Sequence, residues 1–241
     1  MRTAIELPIN GGQSLKYTRE SVLYAEGDEA DCWYTVSSGV VRTCRYLSSG
    51  QRQITGFFFP RDVFGIEKDV YRTTAEAVTD AVITRHGNRL LKLADAQDLA
   101  LKSDAGEILN HALERAEERI ELLGLRGASV RVARFLLTLA VHRSADGHVH
   151  LPMQRTDIAD YLAIDAATVS RTLSLFVRRG LLSFHGPQLY RINDFERLEA
   201  LVDGEPTPRF CATGWEDSQT SPHVGRGSSW ERQEGPRLGP G

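Results

Sequence analysis

The sequence predicts an α+β chain: a β-rich first part, one long helix, and a final group of short helices with a small hairpin. Three patterns predict it. Residues 15–93 are rich in Val, Ile, Thr, Tyr and Phe, set in short runs broken by Gly or Ser. Leu109, Leu113, Ala116, Ile120 and Leu123 then follow one another at spacings of 4, 3, 4 and 3, a heptad seam. Further on, two short amphipathic segments flank a tight turn at Ala163-Ile164.

The first part reads as consecutive hairpins, with strands expected over 22–24, 33–36, 40–46, 53–59 and 77–86. Turns fall at Gly27-Asp28, Ser38-Gly39 and Ser49-Gly50, where glycine supplies a positive φ. Many short strands separated by such turns suggest a small barrel or sandwich. The helix that follows, from about residue 102 to 123, is on the order of 33 Å long. Its apolar stripe is narrow and surrounded by Glu114, Arg115, Glu117, Glu118, Arg119 and Glu121. Such a stripe suits a partner helix, and a two-fold copy of itself is the simplest one; packing on its own barrel is the other possibility.

Gly124, Gly127 and Ser129 end that helix and mark a boundary. A second helix follows with Val130, Ala133, Phe135, Leu136, Leu139 and Ala140 inward, closed by an Asp146-Gly147 turn. Beyond the paired helices a hairpin turns at Gly186-Pro187. The last 39 residues contain 12 Gly or Pro without apolar period, a composition that resists packing. The expected division is therefore a β-rich domain over 1–100, the long helix over 101–126, a helical domain over 127–202 and a disordered tail over 203–241.

The net charge of -3 conceals an uneven distribution. Residues 128–194 hold eight Arg and no Lys against five Asp and no Glu, a net of +3, which leaves -6 for the rest. Within this basic stretch Thr156 is read as an N-cap, with Ile158 and Leu162 on one face; Asp165 caps a second helix that buries Val169, Leu173 and Phe176. The opposite face is small or polar: Ala167, Ser170, Arg171 and Ser174, at i, i+3, i+4 and i+7. That is the surface a recognition helix presents to the major groove of double-stranded DNA. Arg171 has the reach for a two-pronged contact with guanine O6 and N7. Ser170 suits a thymine methyl or a phosphate, Thr168 a phosphate, and Gln154, Arg155 and Thr156 stand where the first helix meets the backbone. Arg178 and Arg179 lead into a wing carrying His185 and Arg191. An ordinary helical hairpin with a solvated arginine has the same spacing.

The segment 155–173 resembles the DNA-binding motif of the CRP/FNR family of regulators. The resemblance extends over roughly residues 15–201. Glu26-Gly27-Asp28, Tyr34-Thr35-Val36 and Ser38-Gly39-Val40-Val41 are similar to the family's cyclic-nucleotide-binding-type β-roll, and residues 59–65, closing on Phe64-Gly65, to its second signature. The resemblance implies an N-terminal β-roll, a dimerisation helix and a C-terminal winged helix-turn-helix. It further implies a homodimer on a palindromic operator and RNA polymerase as a partner. Thr168-Val169-Ser170-Arg171 looks most like FNR and FixK-type members, which recognise TTGAT-like sites. Those members usually carry Glu before the Thr, accepting from cytosine; Ala167 stands there instead.

Iron-sulfur members use N-terminal cysteines, and residues 1–31 contain none. Cyclic-nucleotide binders have Phe-Gly-Glu and then an Arg before Ser or Thr. Here Phe64-Gly65 is followed by Ile66-Glu67, and Arg72-Thr73 comes early, so Phe64, Gly65, Glu67, Arg72 and Thr73 read as a degenerate effector pocket. His86 and His111 are the candidate haem ligands, His148 and His150 an incomplete metal pair, and Cys32 and Cys44, on neighbouring strands, a candidate redox pair. The expectation is a FixK-like activator with no metal or cofactor; a cyclic-AMP- or haem-responsive regulator, or a ligand-binding module without DNA binding, is the alternative. No phosphate-cradling loop or nucleophile elbow points to an enzyme. Three widely spaced cysteines, no leader and no apolar run of roughly 18 residues point to the reducing cytoplasm, away from membranes.

Overall fold

The computed structural model describes residues 12–87 and 99–204, with the side chains of the long helix described from residue 106 onward. The predicted tail lies outside the described residues apart from its first two positions. The chain opens with strands β1 (Gln13–Tyr17), β2 (Val22–Tyr24), β3 (Cys32–Ser38), β4 (Val41–Tyr46), β5 (Arg52–Phe58), β6 (Val63–Phe64), β7 (Thr74–Ala77) and β8 (Ala81–Gly87). They form two four-stranded antiparallel sheets, ordered β1-β8-β3-β6 and β2-β7-β4-β5. The predicted strand 77–86 is in fact two strands in different sheets. The chain breaks at 78–80, where the Val78 and Thr79 amides both turn to the Val40 carbonyl.

The interior of this roll is aromatic. Tyr24 stacks on Tyr71 at 3.7 Å between centroids and on Tyr34 at 5.4 Å, and Phe64 lies 5.3 Å from Tyr34. Tyr71 donates its hydroxyl proton to the Cys32 carbonyl at 2.6 Å, which satisfies a polar group that burial otherwise penalises. Cys32 and Cys44 are both buried free thiols whose pKa burial pushes up, Cys44 to about 11. They sit in different sheets, not on neighbouring strands, and burial disfavours the thiolate of each.

Helix α1 (Leu99–Gly124) follows, about 39 Å long at 1.5 Å per residue. Next come α2 (Ala128–Leu139), a 3-10 turn (Ala140–His142), β9 (His148–His150), α3 (Arg155–Leu162), α4 (Ala166–Arg178), β10 (Leu182–Phe184), β11 (Leu189–Ile192) and α5 (Phe195–Asp203). The last three strands pair antiparallel in the order β10-β11-β9. α5, unforeseen in sequence, shows that the expected tail boundary at 203 cuts into a helix end.

Residues up to 204 belong to one unit with a shared core. Cys44, Ile54 and Phe57 of the second sheet join Leu122, Phe135, Leu136, Ile158, Leu162, Val169, Leu173, Phe176, Tyr190 and Leu198 in a single apolar cluster. The helices thus rest on the outside of the roll, with α3 against β5.

Candidate nucleic-acid interface

α3 buries Asp157, Ile158, Ala159 and Leu162. The Asp157 carboxylate reaches back to accept the Gln154 backbone N–H at 3.2 Å, so the N-cap is Gln154 and not Thr156, which lies inside the first turn. The helix ends at Ala163 in the left-handed region (φ 53), and Arg131 donates to the terminal carbonyl of Leu162 at 3.2 Å. Asp165 then caps α4, accepting the Thr168 backbone N–H at 2.7 Å. Val169, Thr172, Leu173 and Phe176 bury one side of α4, which turns Ala167, Ser170, Arg171 and Ser174 outward together, all exposed. Ile164 plugs the turn from below, half-buried against the core.

The Arg171 side chain is 74% exposed, but it is not loose. Its Nη2 donates to Thr168 Oγ1 at 2.8 Å and stands 3.8 Å from the Asp165 carboxylate. Thr168 in turn donates its only hydroxyl proton to Asp165. The hydrogen bonds from Thr168 hold the Asp165 carboxyl below its ordinary value, so the residue stays ionised. Two expectations change accordingly. Thr168 has no proton left for a phosphate while this chain of bonds is closed. Ser170 donates to the Ala166 carbonyl at 3.0 Å, so its hydroxyl is also committed within the helix.

At the start of α3, Gln154 and Thr156 are exposed as expected, whereas Arg155 is half-buried over the Phe184 ring of β10, 5.4 Å from its centroid. Burial lowers the Arg155 pKa. This arginine braces the helix against the wing. Tyr190 of β11 ties the wing to α2 instead, donating to the Leu136 carbonyl at 2.8 Å. Arg178, Arg179 and Arg191 are exposed.

Residues 130–201 match the Crp-like helix-turn-helix domain and residues 14–91 the cyclic nucleotide-binding domain. The chain is 34% identical over 196 residues to the nitrogen fixation regulation protein FixK of Azorhizobium caulinodans, covering 79% of each. It is 33% identical over 182 residues to FixK of Rhizobium meliloti, covering 75% of this chain and 83% of that one. The solved structure of FixK2 from Bradyrhizobium japonicum matches with a TM-score of 0.74 at 34% identity, over 79% of this chain and 97% of that one. The chain belongs to the CRP/FNR family of transcription regulators. It is a DNA-binding regulator with the family's β-roll and helix-turn-helix.

Within this CRP/FNR architecture Phe64, Gly65, Glu67 and Thr73 all border Tyr24. Phe64 is sunk in the aromatic stack, and Thr73 hydrogen-bonds Tyr24. Glu67, its pKa raised by burial, lies 3.7 Å from Arg72, which points into solvent. Gly65 has positive φ, and a Cβ there would stand 3.0 Å from Tyr34 and 3.3 Å from Tyr24, so the loop already touches the aromatic rings. His86 is stacked on Trp33 at 4.1 Å and bonded to Thr35 Oγ1 at 3.1 Å; His111 pairs with Glu114. His148 pairs with Asp146 and meets His185 edge-on instead of joining His150. Among the described residues no three His, Cys, Asp or Glu gather as a metal site requires. No described helix is long and apolar enough to cross a membrane.

Of the expected seam, Leu109, Leu113, Ala116 and Ile120 stand exposed along one side of α1, Ile120 at 72%. Leu123 is half-buried, and its neighbour Leu122 is the one turned into the core. Arg115 and Arg119, expected in a solvated surround, face the protein. Arg115 pairs with Asp62 at 2.7 Å, and Arg119 lies 3.8 Å above the Tyr161 ring.

Proposed function

We propose that this regulator acts as a homodimer on a TTGAT-like palindrome in the cytoplasm, activating transcription through RNA polymerase without an iron-sulfur cluster, haem or cyclic nucleotide. The observation that carries the reading is the outward face of α4: four small or polar residues in register around one exposed guanidinium. Two such helices related by a two-fold axis enter successive major grooves about one helical turn apart. The apolar stripe of α1, left open along Leu109, Leu113, Ala116 and Ile120, supports the two-fold partner.

Ligand-free action is supported by the interior of the roll, where Tyr24, Tyr34, Phe64 and Tyr71 fill the space next to Gly65 and leave Arg72 directed outward. Control then lies in the abundance of the protein. Ala167 offers a methyl where a carboxylate would accept from cytosine, so one base pair of each half-site is read by apolar contact or not at all.

Recovery of bound DNA from random duplexes, with an ultraviolet-visible spectrum of the same sample, tests operator and cofactor together. An inverted repeat and a spectrum without bands beyond the aromatic region are expected. A Soret or cluster band, or recovered DNA without two-fold symmetry, counts against the reading. Arg171→Ala is expected to reduce the preference for the recovered site by about 1 to 3 kcal/mol while salt-sensitive binding to random duplex persists. An unaltered preference would remove Arg171 from base reading.

A further inference from the structure

We propose that Asp165 and Thr168 are positioning residues for base reading: together they aim the Arg171 guanidinium at its base before DNA arrives. The inference rests on the reading of α4 as the recognition helix. A threonine hydroxyl has one proton, and in Thr168 that proton is given to Asp165. The oxygen is thereby turned with its lone pairs toward Arg171, whose Nη2 donates to it at 2.8 Å.

The chain of bonds leaves the guanidinium able to read. Nη2 carries two protons, one beside Nε–H and one beside an Nη1 proton, so binding Thr168 through either leaves one two-pronged edge free for guanine O6 and N7. An arginine fixed only on contact with DNA loses much of its rotamer freedom at that moment. One that is already held loses less, and the gain falls on the base contact and not on phosphate contacts.

Two neighbouring features single out this role. The other side chains at the groove end of the helix contribute no free hydrogen-bond donor, because Ala167 has none and Ser170 gives its proton to the Ala166 carbonyl. The direction of Arg171 therefore sets most of what this end of the helix can read. The second feature is Asp165 itself. An exposed carboxylate at the start of a recognition helix is repelled by phosphates, and a serine would cap the helix without that penalty. Holding Thr168 and Arg171 gives the negative charge a purpose that capping alone does not.

The test uses the full-length protein, its recovered operator, and the same operator with the Arg171-contacted guanine replaced by 7-deazaguanine, which lacks the N7 acceptor. Thr168→Val keeps the side-chain shape and the backbone N–H that Asp165 caps, but deletes the hydroxyl; Thr168→Ser keeps the hydroxyl. Wild type and Thr168→Ser are expected to lose about tenfold in affinity on the 7-deaza operator. Thr168→Val is expected to show an operator-to-random ratio about tenfold lower than wild type, and to lose only about twofold more on the 7-deaza operator, the mark of two changes acting on one contact. A full tenfold 7-deaza loss in Thr168→Val would overturn the proposal, because Arg171 would then be aimed without the latch. Equal losses on operator and random duplex would also overturn it, since they would mark Thr168 as a phosphate contact. A wild type without operator preference would instead overturn the recognition-helix reading on which the proposal stands.

Discussion

His86 is buried between Trp33 and Thr35, and burial lowers its pKa below the ordinary value. The folded protein therefore holds it neutral. In the unfolded chain it takes up a proton near its ordinary pKa of about 6.5, so the unfolded state binds more protons as pH falls below that value. Stability contributed by neutral His86 is complete above about pH 6.5 and declines as pH drops toward the depressed folded value. Thermal melts between pH 7.5 and 5.5 are expected to fall more steeply for wild type than for His86→Phe, which keeps a ring on Trp33 and cannot titrate. Parallel slopes would place the acid sensitivity elsewhere. Ala163 is a second residue whose conformation has an energetic consequence, because its φ of 53 puts Cβ in the strained left-handed region. Ala163→Gly is expected to stabilise the fold by about 1 kcal/mol, read as a higher thermal midpoint, with the helix-turn-helix otherwise unaltered.

At the scale of the element, α1 carries two stripes, not one. Ile108, Arg115, Arg119 and Leu122, spaced 7, 4 and 3, face the chain's own roll and helices; Leu109, Leu113, Ala116 and Ile120 face away. Because Ile120 has little to lose within its own protomer, Ile120→Glu is expected to change protomer stability by under about 0.5 kcal/mol. At a dimer seam the same carboxylate is desolvated, so association is expected to weaken by about 2 kcal/mol or more, roughly 30-fold, with monomer appearing in sedimentation at micromolar protein. A dimer undisturbed by this change would have its interface elsewhere. The outer stripe is legible in the sequence because its period is local and purely apolar. The inner one is hidden by its two arginines, which look solvated until Asp62, Phe57, Ile54 and Tyr161 are brought to them from other elements. The same limit explains the strands. β3, β4 and β5 stand out by β-branched content between glycine turns, whereas β1, with Gln13 and Lys16 on a mostly exposed edge, and the two-residue β6 carry too few apolar positions to signal. Arg171 and its face are readable from helical spacing alone. The bonds that orient Arg171 depend on rotamers, which spacing does not specify.

Across the whole molecule the least legible feature is the joint between roll and helices. Asp157, which in sequence looks like an ordinary first-turn acid, is buried and accepts from Arg42 of β4 at 3.1 Å and from Arg52 of β5, residues 115 and 105 positions away. Arg42 also reaches Glu76 and Glu20, and Arg52 reaches Asp160 at 2.9 Å, so two guanidinium groups serve four carboxylates. One acid thus caps α3 and clamps it to β4 and β5, and α4 is carried in a fixed attitude by the apolar core that α3 shares with it. Removing Asp157 leaves Arg42 with Glu76 and Glu20 and Arg52 with Asp160, so neither charge is stranded and the cost falls below the roughly 3–5 kcal/mol of breaking an isolated buried pair. Asp157→Ala is accordingly expected to split thermal unfolding: the helices opening early, with faster amide exchange in α2, α3 and α4, while amides of β3 and β8 keep their protection. Arg42→Ala, which leaves the buried Asp157 with Arg52 as its one remaining arginine, is expected to do the same, and the double variant to lose clearly less than the sum of the two. Operator affinity is expected to fall along with the early transition, since α4 then no longer meets its groove at a fixed angle. One cooperative transition at an unchanged midpoint in Asp157→Ala would mean that the apolar contacts around Phe57 and Tyr161 hold the two parts together unaided, with the ion cluster setting no more than their alignment.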